Sequence, residues 1–305
     1  MRHPQPGIMV NVDVANPGQV IACCGLLELA HRLWPAAEGW FDGKQFKIAV
    51  PDGSSQNPLA FLINALANCD ISGLSEAERK EREGLEKQKR DLKKRGKELP
   101  REQEKRRVEL GEQARAGGIR IGKPFDLMLD WWNKGDDEAT PKTWAGLQEL
   151  HKIARAAQDA LSSIGDLTML LDYGCVLRLS QEYRKGKSDS NKPVEPFYFD
   201  ARRFAHPLDV GFSLDVQKAE TIAHPAVELL SLTGLQRFRP ANAPVKWSFD
   251  YCLWSYPLGV SVAAAVFSGV IPIPGKQAYR FPLRFRDNQK RYKAFGPAIL
   301  VGGEP

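Results

Sequence analysis

Two adjacent thiols, Cys23 and Cys24, sit in the stretch "NPGQVIACCGLLELA", with His31 seven residues further on. A thiol within reach of an imidazole can act as a nucleophile with its base. The run around the pair is apolar at helical spacing. On a helix, seven residues are two turns, roughly 10 Å along the axis, too far for a thiol–imidazole hydrogen bond. Cysteine also behaves as a small hydrophobe, so the surroundings of Cys23 and Cys24 favour core packing over catalysis. The other cysteines, Cys69, Cys175 and Cys252, form no C-x-x-C pair, which leaves a structural zinc site without support. His206 and His224 each precede a proline and have no carboxylate or thiol at ligand spacing. No glycine pattern matches a phosphate loop, a dinucleotide turn or a nucleophile elbow. The residue types therefore predict no catalytic group, metal or cofactor.

A different pattern recurs in the second half, where arginine lies beside aromatic residues. "FYFDARRF" carries Arg202 and Arg203, and "LQRFRP" carries Arg237 and Arg239 around Phe238. "YRFPLRFRDNQKRYKAF" interleaves Arg280, Arg284, Arg286, Lys290 and Arg291 with Tyr279, Phe281, Phe285 and Tyr292. On a strand, Arg280, Pro282, Arg284 and Arg286 share the outer face while Phe281, Leu283 and Phe285 point inward. Cations among aromatic rings suit phosphate contact and base stacking. The plainer reading of the same pattern is a half-buried strand with a solvated side. The nine basic residues are the candidate nucleic-acid contacts.

The elements that must position these residues follow from caps and periodicity. "VNVDV" alternates and predicts a first strand. Asn16-Pro17 and Asn57-Pro58 each give an N-cap followed by proline, opening two apolar helices. "GWFDGKQFKIAV" reads as a hairpin turning at Asp42-Gly43. "KPFDLMLDWW" reads as a strand, and Thr140-Pro141 caps a predicted amphipathic helix over "KTWAGLQELHKIARAAQDALSS". A polar loop, "YRKGKSDSNKPVEP", precedes the strand-like "PFYFDARRFAHPLDVGFSLD". "HPAVELLSLTGLQRFRP" predicts a helix. The remainder, "VKWSFDYCLWSY", "GVSVAAAVFSGV", "AYRFPLRFR" and "RYKAFGPAILV", predicts strands, with "RDNQ" turning the last pair.

Between these parts lies a compositional break. Residues 74–118 are largely Glu, Lys and Arg, with Ser75 and Glu78 in capping-box spacing and Pro100 at a second helix start. The expected class is α+β: a core from residues 1–73 and 119–185, a charged helical insertion over 74–118, and a β-rich region over 193–305. Mixed-sign charge usually marks a solvated helical face, although a basic excess also suits a phosphate backbone. The net charge of +6 over 305 residues permits an acidic partner without requiring one. No apolar run is long enough to span a bilayer, and the first residues lack the layout of a secretory signal, so a cytoplasmic chain without a membrane partner is expected.

The block "VNVDVANPGQVIACCGLLELAHRLWPAAEGWFDGKQF", with "PFYFDARRFAHPLDVGFSLD", "ELLSLTGLQRFRP" and "LWSYPLGVSVAAA", resembles a CRISPR-associated family of the type I-U (I-G, Dpsyc) systems. That family is the short form of the Cascade large subunit. The resemblance implies a non-enzymatic subunit of a crRNA-guided surveillance complex, beside crRNA-containing backbone subunits. It implies a part in recognising the protospacer-adjacent motif (PAM), opening target double-stranded DNA and recruiting a helicase-nuclease. Guide pairing reads sequence in such complexes, while the protein supplies motif readout and basic channels. Other large subunits end in a helical bundle, whereas this C-terminus reads as strands, so no individual motif-reading residue carries over. Two alternatives stay open: an enzyme of the same system, either a crRNA-processing ribonuclease with one of His3, His31 and His151 as base or a thiol hydrolase using Cys24, and a protein-docking subunit without nucleic-acid contact.

Overall fold

The computed structural model describes residues 4–51, 55–133, 139–144, 148–184, 192–203, 220–286 and 291–301. The chain opens with strand β1 (Ile8–Asn11), helix α1 (Pro17–Leu33), the hairpin β2 (Glu38–Asp42) and β3 (Gln45–Ala49), and helix α2 (Pro58–Asn68). β4 (Ile71–Ser72) leads into α3 (Glu76–Lys94) and α4 (Arg101–Ala116), followed by β5 (Ile119–Ile121) and β6 (Leu127–Leu129). Next come α5 (Leu150–Leu161), β7 (Cys175–Val176), β8 (Ile222–Ala223) and α6 (Pro225–Gly234). The rest comprises β9 (Ala241–Asn242), β10 (Ser248–Leu253), β11 (Leu258–Gly259), α7 (Val260–Phe267), β12 (Gln277–Phe285), β13 (Lys293–Phe295) and β14 (Ile299–Leu300). The fold is α+β with antiparallel sheets.

Two proline-led helices form its centre. Asn16 caps α1 by accepting from Gly18 N and Gln19 N, and Pro17 occupies the first turn, where its missing N–H costs nothing. Fourteen residues of α1 and all ten of α6 are buried, so both helices are enclosed on every side. They touch backbone to backbone. A Cβ on Gly25 would stand 2.0 Å from the Leu230 carbonyl oxygen, and one on Gly234 would stand 2.4 Å from that of Ile21. Cys23 and Cys24 are fully buried in this centre, as their surroundings predict. Their small neighbours serve a helix–helix approach rather than the helix–sheet approach that the adjoining strand suggests.

One sheet, in the order β1-β3-β2-β11, lies over α1, and β11 brings the C-terminal half onto β2. The hairpin pairs Asp42 with Gln45, with Gly43 at φ +59 in the turn. A second sheet runs β13-β12-β10-β9, with β14 also on β12. Smaller sheets join β4-β5-β6 and β7-β8. One contiguous core extends from Ile8 to Ala298, so the described residues of 1–73, 119–185 and 193–305 contribute to the same interior.

Several elements differ from the sequence expectation. "GVSVAAAVFSGV" holds α7 instead of a strand: Val260, Ala263, Ala264 and Phe267 are buried at helical spacing, and the alanines favour that choice. The helix predicted from Thr140 begins at Leu150, because Trp144 packs against Trp131, Trp132, Phe197 and Phe199 in an aromatic cluster that holds the chain out of helix. "KPFDLMLDWW" gives only three strand residues before Trp131–Asn133 turn in a 3-10 helix. "PFYFDARRF" makes no described strand. Asp200 Oδ1 accepts from Arg202 N, and that local bond turns Ala201–Arg203 into a 3-10 helix. Its continuation "AHPLDVGFSLD", including His206, lies outside the described residues, as do His3, the middle half of the polar loop before it (residues 185–191) and turn residues 287–290. β12 and β13 nevertheless pair as a hairpin, with Phe285 opposite Lys293.

Candidate nucleic-acid interface

The nine candidate basic residues divide by what holds them. Arg202 is partly exposed but held by a dense set of hydrogen bonds to the protein. Its Nη2 donates to Asp200 Oδ2 at 2.6 Å and to the Leu171 carbonyl at 2.6 Å, and its Nη1 donates to Asp172 Oδ1 at 2.6 Å. Asp200 also accepts from Asn16 Nδ2 at 3.0 Å, which ties the α1 cap to this network. Burial would raise the Asp200 pKa, but the Arg202 hydrogen bonds and the nearby His224 and Arg202 charges hold it below the ordinary carboxylate value. Arg237 donates to Glu28 Oε2 at 2.5 Å, and Arg32 donates to the same carboxylate at 3.0 Å. Arg280 pairs across the sheet with Asp250 at 2.7 and 2.8 Å. These three arginines anchor structure.

Arg239, Arg284 and Arg291 are exposed. Arg284 lies on the outer face of β12 beside Gly296, opposite the buried Phe281 and Leu283, as strand alternation requires. Lys290 and the Arg203 side chain lie outside the described residues.

The end of the β12–β13 hairpin gathers a cationic aromatic edge. The Arg286 guanidinium stands 3.2 Å from the Tyr198 ring centroid, and Nη2 donates to Glu195 Oε2 at 3.0 Å. Trp247 meets Phe285 edge-on at 5.4 Å, with Lys293 Nζ 4.4 Å and Lys246 Nζ 5.7 Å from its ring. Arg291 lies 5.7 Å from the Tyr292 ring, and Arg286 N donates to Tyr292 O at 2.8 Å. Trp247, Phe285 and Tyr292 remain partly exposed. Trp247 and Tyr198 both have left-handed backbone, φ +61 and +65, a conformation costing about 1–3 kcal/mol that persists where surrounding bonds over-determine it. Leu283 N donates to Trp247 O at 2.6 Å and Phe295 N to Tyr198 O at 3.1 Å, which supplies that restraint. Arginine-beside-aromatic reasoning finds Arg286 and Arg291 here but misses Trp247, Lys246 and Lys293. The "VKWSF" pairing of lysine with tryptophan was the available signal.

The charged segment forms a second cationic surface. α3 and α4 lie antiparallel, with Arg106 on Glu81 at 2.9 Å, Arg107 on Glu86 at 2.7 Å and Lys89 on Glu104 at 2.7 Å. The capping box is present, with Ser75 N donating to Glu78 Oε2 at 3.0 Å. The pair is rooted on the body by Arg82 to Glu149 at 2.6 Å and Arg79 to Glu182 at 3.6 Å.

The groups proposed for catalysis are placed differently. Burial pushes the thiol pKa values of Cys23 and Cys24 well up, which suppresses the thiolate a nucleophile needs. His31 Nδ1 lies 2.9 Å from the Pro35 carbonyl oxygen, not by a thiol. His151 is buried, and desolvation lowers its pKa to about 4, keeping it neutral at pH 7. His224 Nδ1 stands 3.2 Å from Tyr173 O at the start of α6. Among the described residues, no group of three or more His, Cys, Asp or Glu could hold a metal ion. A cleft of about 940 Å³ between α2 and α5 is lined by Asn64, Asn68, Arg155, Asp159 and Glu182, with no thiol or imidazole. Arg155 there lies 3.3 Å from Glu182. No helix among the described residues is long and apolar enough to cross a membrane. No protein-family model matches the chain, and neither does any curated protein or solved structure.

Proposed function

We propose that this chain is a non-catalytic, nucleic-acid-binding subunit of a crRNA-guided surveillance complex in the cytoplasm. The observation that carries the binding reading is the cationic aromatic edge. Partly exposed Trp247, Phe285 and Tyr292 offer faces for bases; exposed Lys246 and Arg291, with the partly buried Arg286 that also pairs with Glu195, supply charge suited to phosphates, while Lys293 is buried beside the Trp247 ring. The place in a Cascade assembly rests on the resemblance of the N-terminal block. In that assembly the subunit would contact crRNA-containing backbone subunits, aid PAM recognition and duplex opening, and recruit the helicase-nuclease. Such a role needs no nucleophile or metal.

Co-expression with its genomic neighbours and a CRISPR array tests this reading. The chain is expected to purify with a crRNA-containing complex that binds duplex DNA in a salt-sensitive manner. Trp247→Ala should weaken binding of the opened strand by about 1–3 kcal/mol, the cost of one missing stacking platform. A chain that stays monomeric and shows no nucleic-acid affinity at low salt would refute the proposal. Cleavage of repeat RNA by the pure protein, abolished by one histidine substitution, would establish the enzymatic alternative instead.

A further inference from the structure

Charge along the α3–α4 hairpin is sorted by position. Residues 87–101 carry eight Lys and Arg against Asp91 and Glu98, a net of +6. Residues 76–86 carry three basic and five acidic groups, a net of −2, and residues 102–116 carry four of each. The ion pairs that zip the two helices, Arg106–Glu81, Arg107–Glu86 and Lys89–Glu104, engage the acidic groups below the tip. Among the described residues, Lys87, Lys93, Arg95, Lys97 and Arg101 are exposed and form no ion pair, and the only ion pair of Lys94 is to Asp91 at 3.8 Å. Gly96, at φ +67, lets the chain reverse there, with Lys97 N donating to Leu92 O at 2.9 Å.

The tip also stands clear of the body. From Glu83 to Arg101, every ion pair and side-chain hydrogen bond among the described residues stays within the hairpin. The last tether of α3 is Arg82 on Glu149. Arg95 lies thirteen positions beyond Arg82, about 20 Å at helical rise. Gly84 has open space around it, and Leu99 is turned inward, so the tip presents charge without an apolar anchor. Protein partners are held at a desolvated core by aromatic and aliphatic anchors, which this surface lacks. A polyanion with regularly repeated charge gains from counterion release and needs no such anchor.

We propose that the hairpin tip, residues 87–101, is a second nucleic-acid site that grips the phosphate backbone without reading sequence. It rests on charge placement alone and does not depend on the sheet edge or on membership of a Cascade complex.

Binding of the full chain to a mixed-sequence DNA duplex, a DNA single strand and an RNA single strand, followed across about 50–200 mM salt, tests it. The variant Lys93→Gln/Arg95→Gln/Lys97→Gln removes three exposed cations outside the core and should leave the melting temperature unchanged. For each phosphate the tip no longer neutralises, the slope of log K against log salt should fall by about 0.9 on duplex or about 0.7 on a single strand. Which of the three probes shows the fall identifies the strand gripped. Lys44→Gln, in the exposed β2–β3 turn, should leave the slope unchanged. Trp247→Ala should weaken strand binding without altering the tip's share of the slope, so failure at one site is distinguishable from failure at the other. An unchanged slope in the triple variant overturns the proposal. So does equal competition by polyglutamate, or loss of complex assembly with the slope retained, since either marks the tip as a docking knob for an acidic protein.

Discussion

Replacing Gly25 by alanine probes the contact on which the centre of the molecule depends. The new Cβ would lie 2.0 Å from the Leu230 carbonyl oxygen, 2.8 Å from its carbon and 3.2 Å from Gly234 N. A carbon rests about 3.4 Å from a carbonyl oxygen at closest comfort, so α1 and α6 must separate by more than about 1 Å. The obstacle is backbone, which has no rotamer to turn away, and both helices are enclosed by core. Overpacking of this kind costs about 3 kcal/mol, the upper part of its usual range. Alanine in place of glycine returns about 1 kcal/mol of helix propensity. The net loss should be about 2 kcal/mol. With an unfolding entropy of about 2.1 cal/mol/K per residue, that lowers the melting temperature by roughly 3 °C. Gly84→Ala is the matched control: nothing lies within 4 Å of its Cβ, so α3 should gain about 1 kcal/mol, visible as slower amide exchange in that helix. Urea unfolding followed by tryptophan fluorescence would measure Gly25→Ala. A stability within about 0.5 kcal/mol of the parent would refute the close-contact argument.

Further outcomes follow from burial and charge. His151 has a folded pKa of about 4, because burial outweighs the opposing charge of Glu149. Below pH about 6.5 the unfolded chain takes up a proton that the native state refuses. Stability should therefore fall on the order of 3 kcal/mol between pH 6.5 and 4, and His151→Phe should flatten that part of the profile of melting temperature against pH. Arg237→Ala leaves the buried Glu28 with Arg32 alone and should cost about 2–3 kcal/mol by urea titration, a loss that Arg237→Lys recovers only in part. A thiol reagent should leave Cys23 and Cys24 untouched in the native protein and reach both in denaturant. The double change Cys23→Ala/Cys24→Ala should cost about 1–2 kcal/mol by urea titration and leave DNA binding in a gel-shift assay intact.

Local chemistry was legible in the sequence wherever one segment decides its own conformation. Asn-Pro caps opened α1 and α2, the capping box opened α3, Gly43 turned the first hairpin, and strand alternation put Phe281 and Leu283 inside with Arg284 outside. The small apolar character of "ACCG" already determined that the two thiols pack in a core. Tertiary structure decided what those elements meet. The late start of α5 depended on partners distant in the chain, the aromatic cluster around Trp144 above all, whereas the helical spacing and alanines of α7 were already in the sequence. The arginine motifs show the limit most clearly. Arg202, Arg237, Arg280 and Arg286 read alike with Arg239 and Arg291 as cations beside rings, yet each of the first four meets a carboxylate 30 to 209 residues away, Arg202 in addition to its neighbour Asp200. Whether a cation is neutralised within the fold or left facing solvent depends on what folding brings within about 4 Å, and composition carries no such distances.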